Sequence, residues 1–227
     1  MILQLIAHFL TDFYGQNEKT CQMKGHDGFR SKYMYAHAFI TFLIAWLLSF
    51  SIEFVWFAMI IGVSHLMIDG VKYVLKKWKY VFFVDQLAHL SVIVTVVILF
   101  CQNNFILEQE WIPTTKVLLW ILGVVICLKP TNVIIKEVLR TFEIKTADTV
   151  EMVNELNNAG RLIGNLERML TLLFVFMSQY QAIGFLLAAK SILRFKDTAT
   201  AKTEYVLVGT LLSFGIAILV GTLIVKI

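Results

Sequence analysis

Three histidine–aspartate pairs stand four residues apart in otherwise apolar stretches: His8 with Asp12, His65 with Asp69, and Asp85 with His89. On a helix, four residues is about one turn, so each pair projects from a single face. A further histidine, His37, lies alone on its segment, one turn after Tyr33. An ionised aspartate among apolar membrane segments costs several kcal/mol unless something compensates it. The apolar segments supply too few lysines and arginines to neutralise three carboxylates. A divalent cation does so directly, and borderline metals such as zinc accept imidazole nitrogen together with carboxylate oxygen. The expected ligands are therefore His8, Asp12, His37, His65, Asp69, Asp85 and His89, with zinc as the expected ion. For His37 by itself the plainer reading is a helix contact or a satisfied core histidine. For the whole set it is a network of interhelical hydrogen bonds.

Six or seven ligands exceed what one tetrahedral zinc takes, so the expectation is either two ions or one ion with a separate acid–base group. Two ions about 3.5–4 Å apart would generate a hydroxide nucleophile and clamp an ester or phosphoester oxygen. Asp85 is the candidate to shuttle the proton. Lys72, just beyond Asp69, is the candidate to receive a phosphate or an oxyanion, although an ordinary interfacial lysine fits that position equally well. Gln16 and Gln86 are candidate outer donors to the ligands. His26 and Asp27 sit in a polar connection, where a solvated pair is expected.

The elements that must position these residues follow from composition. Of 227 residues 58% are hydrophobic and only 16% charged, with a mean hydropathy of +0.74. A soluble domain is less apolar and carries more charge. With only two prolines and long apolar runs, the expected fold is all-α: a polytopic transmembrane bundle of about five to seven membrane helices. Apolar runs extend over Ile2 to Phe13 (too short to span alone), Met34 to Phe50, Ile52 to Val71, Tyr80 to Cys101 and Val117 to Leu128. Two more follow at Met169 to Ala189 and Tyr205 to Val225. Three cysteines, Cys21, Cys101 and Cys127, show no CxxC spacing, and neither a disulfide framework nor a thiolate metal site is expected. The net charge of +4 reports topology rather than a nucleic-acid partner. The N-terminus lacks the basic region and cleavage site of a signal peptide, so MILQLIAHFLTDF is expected in the mature fold.

Basic residues orient the chain. The connection holding Lys19 to Lys32 and the link Lys72 to Lys79 are expected to be cytoplasmic, with the Ser49 to Glu53 turn and the Glu108 link outside. His8/Asp12, His37, His65/Asp69 and Asp85/His89 would then share one depth near the cytoplasmic surface. The expected organisation is an N-terminal bundle over 1–129 with the His/Asp site, an amphipathic or cytosolic helical linker over 130–159, and a C-terminal hairpin and last span over 160–227. Val133 to Lys145 is helical in period, and Thr146 to Asn158 is polar, with Asp148 or Thr149 as N-cap. The polar break SQYQ at Ser178 to Gln181 divides the C-terminal run into a hairpin. A second polar set, Arg161, Glu167, Arg168, Lys190, Ser191, Arg194, Glu204, Thr210 and Ser213, follows there. Glu167 with Arg168 reads as a buried ion pair or as interfacial snorkelling, and an anionic head group is a third option.

The strings HFLTDF, SHLMIDGVK and DQLAH, over roughly the first hundred residues, resemble a bacterial family of integral membrane proteins of unknown function. More distantly they resemble membrane-bound metal-dependent hydrolases. GRLIGNLER and AAKSILRF are similar to the C-terminal part of longer members. The resemblance implies a bacterial inner (cytoplasmic) membrane location and a metal site on His8, Asp12, His65, Asp69, Asp85 and His89, but no substrate.

The functional expectation is a membrane-embedded metal-dependent hydrolase acting at the cytoplasmic face on a lipid-like or phosphoester substrate, with membrane lipids as its surroundings. A divalent cation transporter is the alternative, but a carrier binds near the midplane and this cluster lies toward one surface. A di-iron oxygen-activating enzyme would need more than the five histidines present. A sensor or scaffold with a structural metal is the remaining alternative.

Overall fold

A computed structural model describes residues 1–17, 20–21, 23–24, 28–103, 113–144, 153–194 and 200–227, without the side chains of 153–159, 193–194 and 200–204. Among these residues there are nine α-helices and no strand, as an all-α bundle requires. In order they are α1 (Ile2–Phe9), α2 (Lys32–Ser49), α3 (Val55–Val74), α4 (Val81–Gln102), α5 (Thr115–Cys127), α6 (Lys129–Thr141), α7 (Val153–Phe176), α8 (Tyr180–Arg194) and α9 (Thr200–Lys226). A π-helical turn, Leu10–Tyr14, extends α1, and a 3-10 turn, Gly28–Arg30, precedes α2.

Three helical stretches are long and apolar enough to cross a membrane: Val55–Val74, Val81–Gln102 and Tyr205–Lys226. A fourth is added if α5 and α6, bent by 41° at their junction, form one broken span. By length and composition the described helices thus supply three or four spans against the five to seven expected. Lys32 and His37 dilute α2, the polar first half of α7 dilutes that helix, and α8 has only 15 residues. Large apolar side chains such as Leu47, Trp56, Met67, Leu87, Phe185 and Leu219 face outward, which suits a bundle solvated by lipid.

The chain divides into two compact units, Met1–Leu118 and Leu119–Ile227. In the first, α2 packs on α1 and α3, and α3 on α4. Its apolar core, Ala45, Phe54, Ala58, Ile61, Val96 and Phe100, ties α2, α3 and α4 together at one end. Toward the other end, α3 crosses α2 closely at Gly62, where an added Cβ would lie 2.8 Å from Cβ of Phe42 and 3.3 Å from the Ala38 carbonyl. This close approach brings His37 and His65, each nearby on its own helix, within reach of one another.

In the second unit, α9 packs on α7 and α6, and α8 on α7. Trp120 and Cys127 of α5, which composition groups with the N-terminal bundle, meet Leu172 and Ala217 here. The α5–α6 junction is a broken ladder. Pro130 lacks the N–H that would have served the Ile126 carbonyl, and the Thr131 hydroxyl donates to that oxygen instead at 2.7 Å. The neighbouring carbonyls of Cys127 and Leu128 accept from the Arg168 guanidinium, which also donates to Ser213 at 2.8 Å, Asn132 at 2.7 Å and Asn165 at 2.6 Å. Arg168 is 2% exposed, so it is buried and does not snorkel. Its hydrogen-bond partners are all uncharged, and the C-terminal pole of α5 supplies the compensating partial charge. The Glu167–Arg168 pair, the alternative to snorkelling, does not form either: Glu167 accepts from Lys190 at 2.5 Å, because adjacent helix residues point to different sides. The SQYQ break does separate α7 from α8, with Ser178 at φ 56°. Asp148 and Thr149 lie outside the described residues.

Candidate metal centre

Asp12 is delivered by an irregular piece of helix. The amide of Gly15 donates to the carbonyl of Leu10 at 2.8 Å, a five-residue step that widens the turn, and such π-turns gather at functional sites. The Thr11 hydroxyl folds back onto the carbonyls of Ala7 and His8 at 3.1 and 3.0 Å. His8 itself is 2% exposed.

The first set of donors forms a tight triangle. Nε2 of His37 and Nε2 of His65 are 2.8 Å apart, and each lies 3.2 Å from Oδ1 of Asp12. Nε2 of Gln16 stands 2.7 Å from the same His37 nitrogen. Ligands at about 2.0–2.1 Å from a tetrahedral zinc are about 3.3 Å from each other, so this triangle has nearly the edge length of a coordination shell. His8, Asp12 and His65 also offer donor atoms within 4.8 Å of one another.

The second set lies across α3. Asp69, Asp85 and His89 offer donor atoms within 4.8 Å of one another, as do His37, His65 and Asp69. His65 and Asp69 therefore stand between the two sets, His65 Nε2 being 4.0 Å from Asp69 Oδ2. Nδ1 of His89 lies 2.8 Å from its own helix's Asp85 carbonyl. That carbonyl can only accept, so Nδ1 carries the proton and Nε2 presents a lone pair. The His89 ring is 4.1 Å from that of His65 and 5.4 Å, stacked, from that of His8.

All seven predicted ligands therefore meet in one buried cluster, held by α1 with its π-turn, α2, α3 and α4. Four of their buried atoms have no hydrogen-bond partner: both ring nitrogens of His8, Nε2 of His89 and Oδ1 of Asp85. Gln86 directs its amide to Asp12 Oδ2 and Asp85 Oδ2, each at 3.2 Å. Leaving a buried polar atom unsatisfied costs about 1–3 kcal/mol. A cation on the Asp69, Asp85 and His89 donors would give partners to Nε2 of His89 and Oδ1 of Asp85, and one on the His8, Asp12 and His65 donors would take up the His8 lone pair. The donor set, imidazole with carboxylate, fits zinc.

The cluster also corrects one premise of the sequence reading. Lysines do compensate two of the three carboxylates. Lys72 Nζ lies 2.6 Å from Asp85 Oδ2, and Lys24 Nζ lies 2.5 Å from Asp69 Oδ2. Lys24 comes from the polar connection and has no helical spacing to any ligand, so sequence periodicity could not select it. The usable signal is glycine beside a ligand. An added Cβ on Gly70 would sit 2.0 Å from Cζ of Phe29, and Gly28, at φ 54°, lies against the Tyr73 ring. These two glycines dock the Gly28–Arg30 turn onto α3. Gln86 lies against the carboxylates of Asp12 and Asp85, Gln16 instead meets the inward nitrogen of His37, and His26 and Asp27 fall outside the described residues.

The span that carries this cluster is also the span with a recognisable pattern. The chain belongs to the DUF3307 family, proteins of unknown function, whose model matches residues 1–119. The DUF3307 match covers the first unit and contains all seven clustered residues with Lys24 and Lys72. No curated protein and no solved structure matches the chain.

Proposed function

We propose that this DUF3307 protein is a multi-pass protein of the bacterial inner membrane that hydrolyses a lipid-like or phosphoester substrate at the cytoplasmic face, with zinc as its metal. The observation that supports this reading is the set of buried, unpartnered donor atoms on His8, His89 and Asp85. His37, His65, Asp12 and His8 would hold one ion, and Asp69, Asp85 and His89 a second where two are bound. When bound, zinc lowers the pKa of a water molecule and polarises the oxygen of the scissile group.

The chain's own residues do the rest. Lys72 and Gln86 both bond Oδ2 of Asp85, which leaves Oδ1, with a single ion bound, free to take a proton. Lys72, with 37% of its side chain exposed, stands at the rim where an anionic oxygen can reach it. Charge separates this reading from a cation carrier. Three carboxylates and two ammonium groups leave one net negative charge, and a single divalent ion reverses it. A site that becomes positive on loading attracts an anionic substrate, whereas two ammonium groups would obstruct a cation in transit.

Elemental analysis of the detergent-purified protein, beside Asp12→Ala and His89→Ala, tests the metal. At least one zinc per chain is expected in the wild type and a loss of about tenfold or more in affinity in each variant. Hydrolysis of a micellar phosphoester, lost in Asp85→Asn, tests the reaction. A wild type that takes up no zinc would sink the proposal. Zinc uptake into proteoliposomes, abolished by the same substitutions, would replace the hydrolase with a carrier.

A further inference from the structure

We infer that the group recognised at this site is a phosphate borne by a membrane amphiphile, and that Lys24 and Lys72 receive it. The inference rests on the metal-dependent reading above and narrows its substrate.

The two lysines reach the cluster from different elements, one from the polar connection and one from α3. Each sets its ammonium against a different carboxylate of the same donor set, Asp69 for Lys24 and Asp85 for Lys72. An ammonium has three N–H donors, and a single carboxylate leaves the others available. A metal ion and two lysines thus present three cationic groups on one donor cluster. A phosphate has enough unesterified oxygens to meet several of them at once, while a carboxylate has two. Lysine is a point-charge phosphate binder, and it suits a group whose oxygens are spread in three dimensions.

The surroundings favour an amphiphile over a soluble ester. Val71, beside Lys72 on α3, and Leu75, just past the end of that helix, are exposed apolar side chains. An acyl chain lying along α3 would therefore bring its head group to Lys72. The turn that follows is an interfacial platform. Lys76 stands 4.7 Å over the Tyr73 ring and Lys79 4.8 Å over the Tyr80 ring, with Trp78 exposed between them. Aromatic and basic residues together mark head-group depth, and a basic cluster there concentrates anionic lipid. Lys72 lies between this platform and the donor cluster, its Nζ 5.9 Å from the Phe82 ring centre.

The test measures binding by zinc-loaded full-length protein in nonionic micelles, with dioctanoyl phosphatidate, dioctanoylglycerol and inorganic phosphate as probes. Phosphatidate is expected to bind at least about tenfold more tightly than either other probe, and inorganic phosphate to compete with it. Assayed at saturating zinc, Lys24→Gln and Lys72→Gln should each weaken phosphatidate by about tenfold, and Lys72→Arg should restore most of the loss. Dioctanoylglycerol binding as well as phosphatidate, or both Gln variants binding like the wild type, would overturn the phosphate assignment. Inorganic phosphate binding as tightly as phosphatidate would overturn the membrane source. Should a Gln variant not fold, competition on the wild type still decides, because phosphate that fails to displace phosphatidate also overturns the inference. Zinc absent from the wild type would be the separate failure of the underlying reading.

Discussion

His89 is oriented from behind. Its Nδ1–H is spent on the Asp85 carbonyl at 2.8 Å, so the ring cannot turn its proton into the cluster, and Nε2 enters as a lone pair. Gln86 does comparable work for carboxylates, bridging Asp12 and Asp85 with one amide. Gln86→Leu is therefore expected to keep the fold and lower zinc affinity by about 10–100-fold, as read by competition with a chromogenic chelator. Arg168 is a different case, since its partners are the carbonyls of Cys127 and Leu128 with Asn132, Asn165 and Ser213. Arg168→Leu strands several buried acceptors and is expected to cost about 3 kcal/mol or more, seen as a lower thermal midpoint in detergent. Arg168→Lys should recover little, because an ammonium cannot reproduce the planar fork. At this scale six of the seven clustered residues were legible in the sequence because a spacing of four on a helix is itself a geometric statement, and His37 was legible only through its depth beside them. Lys24 was not, because it lies in the polar connection, at no helical spacing from any of the seven, so no periodicity records its approach to Asp69.

Two glycines govern how the elements meet around the cluster. Gly62 lets α3 approach α2 closely enough for His37 and His65 to share Asp12. Gly62→Val should push the helices apart and release zinc, even though no ligand is changed. Gly70 accommodates the Phe29 ring, which keeps the turn carrying the polar connection against α3. Gly70→Val should expel that ring, reproducing the phosphatidate loss of Lys24→Gln while zinc stays bound. Both effects are measurable by zinc content and probe binding on the same preparations. The SQYQ break and the helical period near Val133 were readable because polar residues interrupt an apolar run. The α5–α6 bend was only half readable: Pro130 marks a lost hydrogen bond, but what satisfies the freed carbonyls comes from Thr131 and from a helix far along the chain.

On the scale of the whole chain, chemistry and architecture fall in different places. The first unit holds all seven clustered residues and both lysines and coincides with the DUF3307 match. The second unit, Leu119–Ile227, holds a polar lock built from neutral groups around Arg168, with Glu167 and Lys190 paired beside it. Substitutions across the polar residues of 119–227 are therefore expected to leave zinc stoichiometry near the wild-type value. Those at the seven ligands should abolish it, and elemental analysis of the full series separates the two groups.

The wide turn at Leu10–Tyr14 makes the chain's length locally as important as its composition. A π-turn holds one residue more than an α-turn over the same rise, so removing any single residue there would let the helix close into regular α geometry. The helix before the turn would keep its phase with the chain after it, but the residues inside the turn would be re-aimed, carrying Asp12 away from His37 and His65. A deletion of one apolar residue, Leu10 for instance, takes away no donor atom. It should nevertheless disable the centre as fully as losing a ligand, which makes this turn a place where the reading frame of the helix is itself part of the site.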